Sequence, residues 1–212
     1  MRIRTVIGVL VLVATAAFFS GRAVSEEGEG EKGGGMGEEM TPEQAEMMKK
    51  WMEVATPGEP HKGLGMLAGT WDMTMTGMMM ESASKGVSTF TSVLGGRFVR
   101  QEVKAEMGDF GPFEGIGYTG YDNMKKKYVM SWMDSMGTMM LHAEGLASKD
   151  GKEVRFWGTM DECTTGEHDK PVMYVHREVS KDEFVFEMHD SHMGMGGDGT
   201  TKVMSITYKR RK

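Results

Sequence analysis

From Leu67 onward, apolar and polar residues alternate along most of the chain, and this period of two predicts β-strands. Turn signals such as Gly95-Gly96 and Asp122-Asn123 separate the alternating segments. The segments are 67–77, 85–94, 97–107, 112–121, 127–135, 138–148, 153–160, 171–179, 182–190 and 201–210. Short strands at hairpin spacing favour an all-β fold, an antiparallel up-and-down barrel of about ten strands within residues 57–212.

The segment before the barrel has a helical period and predicts one amphipathic helix at residues 41–56. Thr41 can cap this helix, Pro42 fits its first position, and Gln44 completes a capping box. Its apolar face consists of Met47, Met48, Trp51, Met52 and Ala55. Because an apolar helix face needs cover, we expect it to pack on apolar surface, with the barrel mouth as the natural place.

The N-terminus predicts an exported protein. Arg2 and Arg4 precede an apolar run, and Ala23 is a small residue suited to cleavage, so residues 1–25 have the layout of a signal peptide. Residues 26–40 are rich in Gly and Glu and predict a disordered acidic linker. The mature protein is then periplasmic or secreted, with no integral membrane span. The alternative is that the apolar run is retained as an anchor.

Charge and cysteine content narrow the class of protein. The full chain has a formal net charge of −6, and without residues 1–25 it carries 22 basic and 31 acidic side chains, a net charge of −9. Such a chain has no electrostatic footprint for nucleic acid. Cys163 is the only cysteine, so the chain forms no internal disulfide and a hydrophobic core must hold the fold.

Several motifs together carry a family resemblance. Gly69 and Trp71 form a Gly-x-Trp at the entry of the first strand, where the glycine permits close approach and Trp71 can close the barrel base. Gly-Gly-Arg-Phe at 95–98 and Gly-Tyr-Asp-Asn at 120–123 follow. In this order over residues 57–210, the motifs resemble a bacterial family of exported proteins, known as a domain of unknown function, with a lipocalin-like barrel. The resemblance implies fold and export, and no agreed activity or ligand.

The fifth predicted strand supplies a candidate cavity wall. Its alternation places Tyr128, Met130, Trp132 and Asp134 on one face, and two rings, a thioether and a carboxylate are typical of a ligand pocket. The leading hypothesis is therefore a barrel that binds a small apolar or amphipathic molecule. Its predicted cavity residues are Trp71, Arg97, Tyr128, Met130, Trp132, Asp134 and Phe156, with Asp134 or Arg97 orienting the ligand. A filled core with one satisfied polar group explains the same pattern.

Methionine is abundant, with 25 residues, and it supports a second hypothesis. Thioethers select Cu(I), and Met78–Met80, Met193 and Met195 lie in glycine-containing turns where no core demands them. Core packing is the competing interpretation, and it is favoured for Met73 and Met75, which share a strand face with Trp71.

An enzyme that uses a cavity carboxylate is the third hypothesis. Asp134 and Glu187 are the candidate carboxylates, with Arg97 as their expected structural partner. A structural ion pair is favoured over proton transfer, because such networks also perturb carboxylates. The sequence contains no catalytic motif and no zinc-ligand spacing, so it assigns no metal ligand and no cofactor.

Overall fold

The computed structural model describes residues 40–78, 80–108, 111–162, 165–190 and 201–212. The predicted signal peptide, all but the last residue of the predicted linker, and Cys163 lie outside the described residues. None of the described helices combines the length and the hydropathy that a membrane span requires.

Ten strands occur in the described part of the chain, each close to a segment with alternating residues. They are β1 (Gly69–Gly77), β2 (Ser84–Val93), β3 (Phe98–Glu106), β4 (Pro112–Asp122), β5 (Lys127–Asp134), β6 (Leu141–Ala147), β7 (Glu153–Glu162), β8 (Glu167–Ser180), β9 (Glu183–Asp190) and β10 (Thr201–Arg210). Each strand pairs antiparallel with the next, and β1 also pairs with β10, so the sheet closes. The predicted up-and-down barrel is confirmed.

Among the described residues, two helices precede the barrel, where the sequence predicts one. Helix α1 (Pro42–Ala55) buries none of its residues, and Met47 and Trp51 on its apolar face are exposed. The expectation that this face covers apolar surface of the barrel is wrong. The short helix α2 (Glu59–Gly65) packs on the barrel instead, with His61 and Leu64 buried. Its proline and two glycines have low helix propensity, so its sequence does not predict a helix.

The barrel interior is filled with aromatic side chains at the end next to α2, which we call the helix end. Trp71, Phe90, Phe184 and Tyr208 are all buried there. Phe184 stacks on Tyr208 with ring centroids 4.4 Å apart, and its ring meets the edge of Trp71 at 4.8 Å. Offset and edge-to-face arrangements of this kind add to the free energy of burying the rings. The helix end is therefore a packed core.

The opposite end of the barrel is formed by the turns that follow β1, β3, β5, β7 and β9, and we call it the methionine end. Met78 and Met80 follow β1, Met107 follows β3, and Met136 and Met139 follow β5. Met160, Met188 and Met204 lie in the parts of β7, β9 and β10 that approach this end. Residues far apart in the sequence thus share one end of the barrel, and the interior cavity extends toward it.

Candidate functional site

A cavity of about 340 Å³ lies inside the barrel. Its volume falls within the range of roughly 300–1,000 Å³ that is typical of small-molecule sites. The lining is mostly apolar and includes Phe113, Leu141, Phe156, Phe186 and Ile206, and Gly137 and Met139 of the turn between β5 and β6 also contribute to it. The barrel is therefore hollow beyond its aromatic core.

Strand β5 forms one wall of this cavity, and both of its faces contribute. Met130, Trp132 and Asp134 line it, and so do Ser131 and Met133 of the opposite parity. The Trp132 ring lies against β4, where a Cβ at Gly117 would come within 2.7 Å of its Cε3 atom and a Cβ at Gly115 would overlap the ring. The two glycines therefore make room for the indole, and β4 and β5 form one unit of the wall.

Asp134 is held by local hydrogen bonds. Trp132 donates its Nε1–H to Asp134 Oδ2 at 2.7 Å, and the amide of Met136 donates to Oδ1 at 2.9 Å. These bonds fix the carboxylate at the methionine end of β5, and its residue lines the cavity. Asp134 is thus positioned to interact with a polar group at the edge of the cavity.

Phe156 lines the cavity and is 3% exposed, whereas Trp71 and Tyr128 lie outside the lining. Trp71 closes the base instead. Its Nε1–H donates to the carbonyl of Leu67 at 2.8 Å, and its ring is 2% exposed. Tyr128 packs at the helix end between Tyr121 and Phe156, with ring centroids 5.1 and 6.5 Å away. Both residues are part of the core beneath the cavity.

Arg97, the third predicted residue outside the lining, lies away from the cavity. Its side chain is exposed on the turn between β2 and β3, where Nη1 donates to the carbonyl of Leu94 at 3.1 Å. That turn belongs to the helix end, whereas Asp134 lies at the methionine end, so the predicted pairing of the two is wrong. The predicted up-and-down order already implies this separation, because the turns after even-numbered and odd-numbered strands lie at opposite ends of the barrel.

Glu187, the other candidate carboxylate, is not among the cavity-lining residues. It accepts from Lys202 at 3.1 Å and pairs with Arg177 at 3.0 Å, and the His189 ring lies 3.4 Å away. Burial raises the pKa of Glu187, but its hydrogen bonds with Lys202 and His189 outweigh burial and lower the pKa below its ordinary value. Glu187 therefore belongs to an ion-pair network, but its partners are Arg177 and Lys202 and not the predicted Arg97.

A polar group inside the cavity was not predicted. Gln101 lines the cavity and donates from Nε2 to Ser88 Oγ at 3.0 Å and to the Tyr208 hydroxyl at 3.3 Å. Burial raises the pKa of Tyr208 to about 12, so its hydroxyl stays protonated in neutral solution. The glutamine at an inward position of β3 could have indicated this group, because a buried polar side chain costs free energy unless it forms hydrogen bonds.

His176 on β8 also lines the cavity. Its ring meets Phe184 edge-on at 4.6 Å, and its Nε2 atom is buried with no hydrogen-bond partner among the described residues. Burial lowers the pKa of His176 to about 4, so the ring is neutral at physiological pH. The cavity is thereby kept free of positive charge on this wall.

The lowered pKa of His176 predicts acid sensitivity. The unfolded chain takes up this proton near the ordinary value of 6.5, whereas the folded protein takes it up only near 4. Unfolding is therefore favoured as pH falls through this window, and between pH 7.5 and 4 this histidine should lower the free energy of unfolding by about 3 kcal/mol. Denaturant unfolding across that range measures it. The free energy of unfolding of His176→Phe should fall by about 3 kcal/mol less than that of the unmodified protein over this pH range. Equal falls in the two proteins would contradict the lowered pKa of His176.

Methionines make up a large share of the cavity wall. Those in the described lining are Met73, Met75, Met107, Met130, Met133, Met139, Met160, Met188 and Met204. Met73 and Met75 are buried beside Trp71, in agreement with core packing. Met78 and Met80 line a second, adjoining cavity, whereas Met79, Met193 and Met195 lie outside the described residues.

The sequence motifs have structural roles that explain their pattern. Gly69 has a φ of 129°, and a Cβ there would lie 2.9 Å from Arg210 Nη1. The freed space lets the Arg210 guanidinium lie over the Trp71 ring at 4.1 Å and donate to the carbonyl of Ala68. In the turn between β4 and β5, Asn123 Nδ2 donates to the carbonyls of Val54 and Thr56 at 2.9 Å and so ties the end of α1 to the barrel.

Several solved structures are similar to this chain. A search of curated proteins finds no significant match. The crystal structure of Rv2717c from M. tuberculosis is similar over 74% of this chain and 100% of its own, with 15% identity and a TM-score of 0.54. A de novo designed fluorescence-activating β-barrel is 15% identical over 70% of this chain and 97% of its own, with a TM-score of 0.40. The model of the family described as Protein of unknown function (DUF1579) matches residues 56–210, and the chain therefore belongs to that family.

Proposed function

We propose that the protein binds a small, mostly apolar or amphipathic molecule inside the barrel. The observation that carries this proposal is the apolar cavity of about 340 Å³ above the aromatic core. Transfer of apolar ligand surface from water into such a cavity is favourable by roughly 25 cal/mol per Å². A closed barrel with a packed base and a hollow upper part suits a carrier of a single small molecule.

The polar groups of the cavity lie at two heights and favour an amphipathic ligand. Gln101 lies deeper, within hydrogen-bond reach of Ser88 and Tyr208, and Asp134 lies at the methionine end of β5. A few fixed polar groups in an apolar wall orient a ligand and give specificity, whereas its apolar part supplies most of the affinity. This arrangement suits a molecule with an apolar body and a hydrogen-bonding group.

Titration with N-phenyl-1-naphthylamine, a neutral dye that fluoresces in apolar surroundings, tests the proposal. We expect the protein to bind one dye molecule with a Kd in the micromolar range, and Trp132 fluorescence to fall as its energy passes to the dye. Met130→Trp fills the cavity and should weaken binding at least tenfold. The matched control, Met124→Trp, changes a turn residue that is 78% exposed and should leave the Kd unchanged.

A second variant that fills the cavity keeps the test valid if Met130→Trp does not fold. Thr119 on β4 pairs with Met130 and lines the cavity, so Thr119→Phe reduces the same space from the neighbouring strand. Circular dichroism and thermal unfolding establish that each variant is folded. Binding of the dye with equal affinity by all folded variants, or no binding by the unmodified protein, would sink the proposal.

A further inference from the structure

The second cavity, of about 220 Å³, lies at the methionine end next to the first. Its described lining includes seven methionines: Met75, Met78, Met80, Met107, Met160, Met188 and Met204. The remaining members include two carboxylate residues, Glu162 and Asp190. A cavity that combines clustered thioethers with acidic groups calls for a different occupant from the apolar molecule of the main cavity.

The barrel topology brings these thioethers together from separate parts of the chain. Met188 on β9 pairs directly with Met204 on β10, and Met204 pairs with Gly77 at the end of β1. Directly opposite residues on antiparallel strands have Cβ atoms about 5 Å apart. The amide of Met80 donates to the carbonyl of Gly77 at 3.1 Å, and this bond holds the turn that contains Met78 and Met80. Residues up to 129 positions apart in the chain, Met75 and Met204, therefore line the same cavity.

A buried ion pair lies beside the second cavity. Lys170 pairs with Asp190 at 2.6 Å and lies 3.5 Å from Glu162, and the first two side chains are 2% and 3% exposed. Apolar packing explains the methionines that also line the main cavity. Met78 is different, because it lines only the second cavity and is 52% exposed.

We propose that the second cavity is a Cu(I) site in which three or four of these thioethers bind the ion. Thioethers are soft ligands that select Cu(I) over harder divalent ions. Among the described residues, no group of three or more His, Cys, Asp or Glu side chains is placed to hold a metal ion, so the donor set there is thioether in character. The site lies beyond the proposed binding of an apolar molecule and does not depend on it.

Competitive titration of Cu(I) against bathocuproine disulfonate under anaerobic conditions tests this proposal. We expect the protein to take one equivalent of Cu(I) from the chelator, and X-ray absorption of the complex to show sulfur neighbours. Met188→Leu with Met204→Leu should weaken Cu(I) binding at least tenfold, as should Met78→Leu with Met80→Leu. Leucine keeps the apolar volume and removes the sulfur, so these variants isolate the thioether ligands.

The matched control is Met124→Leu with Met136→Leu, which removes two exposed thioethers that line neither cavity. It should bind Cu(I) as the unmodified protein does. Failure of the protein to compete with the chelator would overturn the proposal, as would equal Cu(I) affinity in all four proteins. Met78 and Met80 line the second cavity and not the main one, so Met78→Leu with Met80→Leu should leave dye binding unchanged, and the two proposals fail separately.

Discussion

Replacing Trp71 with alanine is expected to lower the free energy of unfolding by about 3–5 kcal/mol, within the range for truncating a large buried ring. Trp71 is 2% exposed and contacts Phe184 and the Arg210 guanidinium. Its removal opens a void in the aromatic core at the helix end and leaves the Leu67 carbonyl without its indole donor. Denaturant unfolding followed by circular dichroism measures the effect.

Two controls identify the cause of that loss. Trp157→Ala removes the same side chain from a position that is 51% exposed, and it should change the free energy of unfolding by less than about 1 kcal/mol. Trp71→Phe keeps most of the apolar volume and should cost clearly less than alanine. An alanine effect at Trp71 no larger than that at Trp157 would show that the ring does not close the core.

Replacing Lys170 with methionine is expected to cost about 3–5 kcal/mol of unfolding free energy, the range for breaking a buried ion pair from one side. Burial lowers the pKa of Lys170, but the Asp190 carboxylate outweighs burial and raises the pKa above its ordinary value. The lysine is 4% exposed, and the variant leaves Asp190 and Glu162 close together without their shared ammonium group. Thermal and denaturant unfolding report the loss.

The double variant Lys170→Met with Asp190→Leu should recover most of that loss, because a buried ion pair can be replaced by apolar side chains with little net cost. Lys209→Met is the surface control. Lys209 pairs with Glu183 at 3.8 Å and its side chain is 67% exposed, so its removal should cost at most about 1 kcal/mol. A double variant as unstable as the single one would mean that Asp190 does not depend on Lys170.

The barrel was predictable because alternation is a local signal that survives in each strand. The inward residues of β1 follow from the period of two, because one face of that strand is buried. Strand β5 differs, since Ser131 and Met133 line the cavity together with Met130, Trp132 and Asp134. Helix α2 was not predicted, because its seven residues carry no helical period. The uncovered face of α1 was not predicted either, since periodicity does not show whether a face is covered.

The parts of the site that escaped prediction depend on contacts between distant strands. Gln101 pairs with Tyr208 across 107 positions, and the proposed thioether site combines residues from β1, β9 and β10 with neighbouring turns. The sequence shows such residues only as isolated polar or sulfur-containing positions. Arg97 is a different case, because the predicted strand order already places its turn, after β2, at the opposite end of the barrel from Asp134 at the end of β5.

The helix end of the barrel holds the aromatic core, and the methionine end holds the cavity, so packing and cavity lining fall on different parts of the same strands. Trp71 and Phe184 lie in the first halves of β1 and β9, whereas Met75 and Met188 lie farther along the same strands. Under the proposed function, ligand recognition can therefore change through residues such as Met188, which lies outside the aromatic core that contains Trp71 and Phe184. Selection on binding and selection on stability then act on different stretches of the same strands.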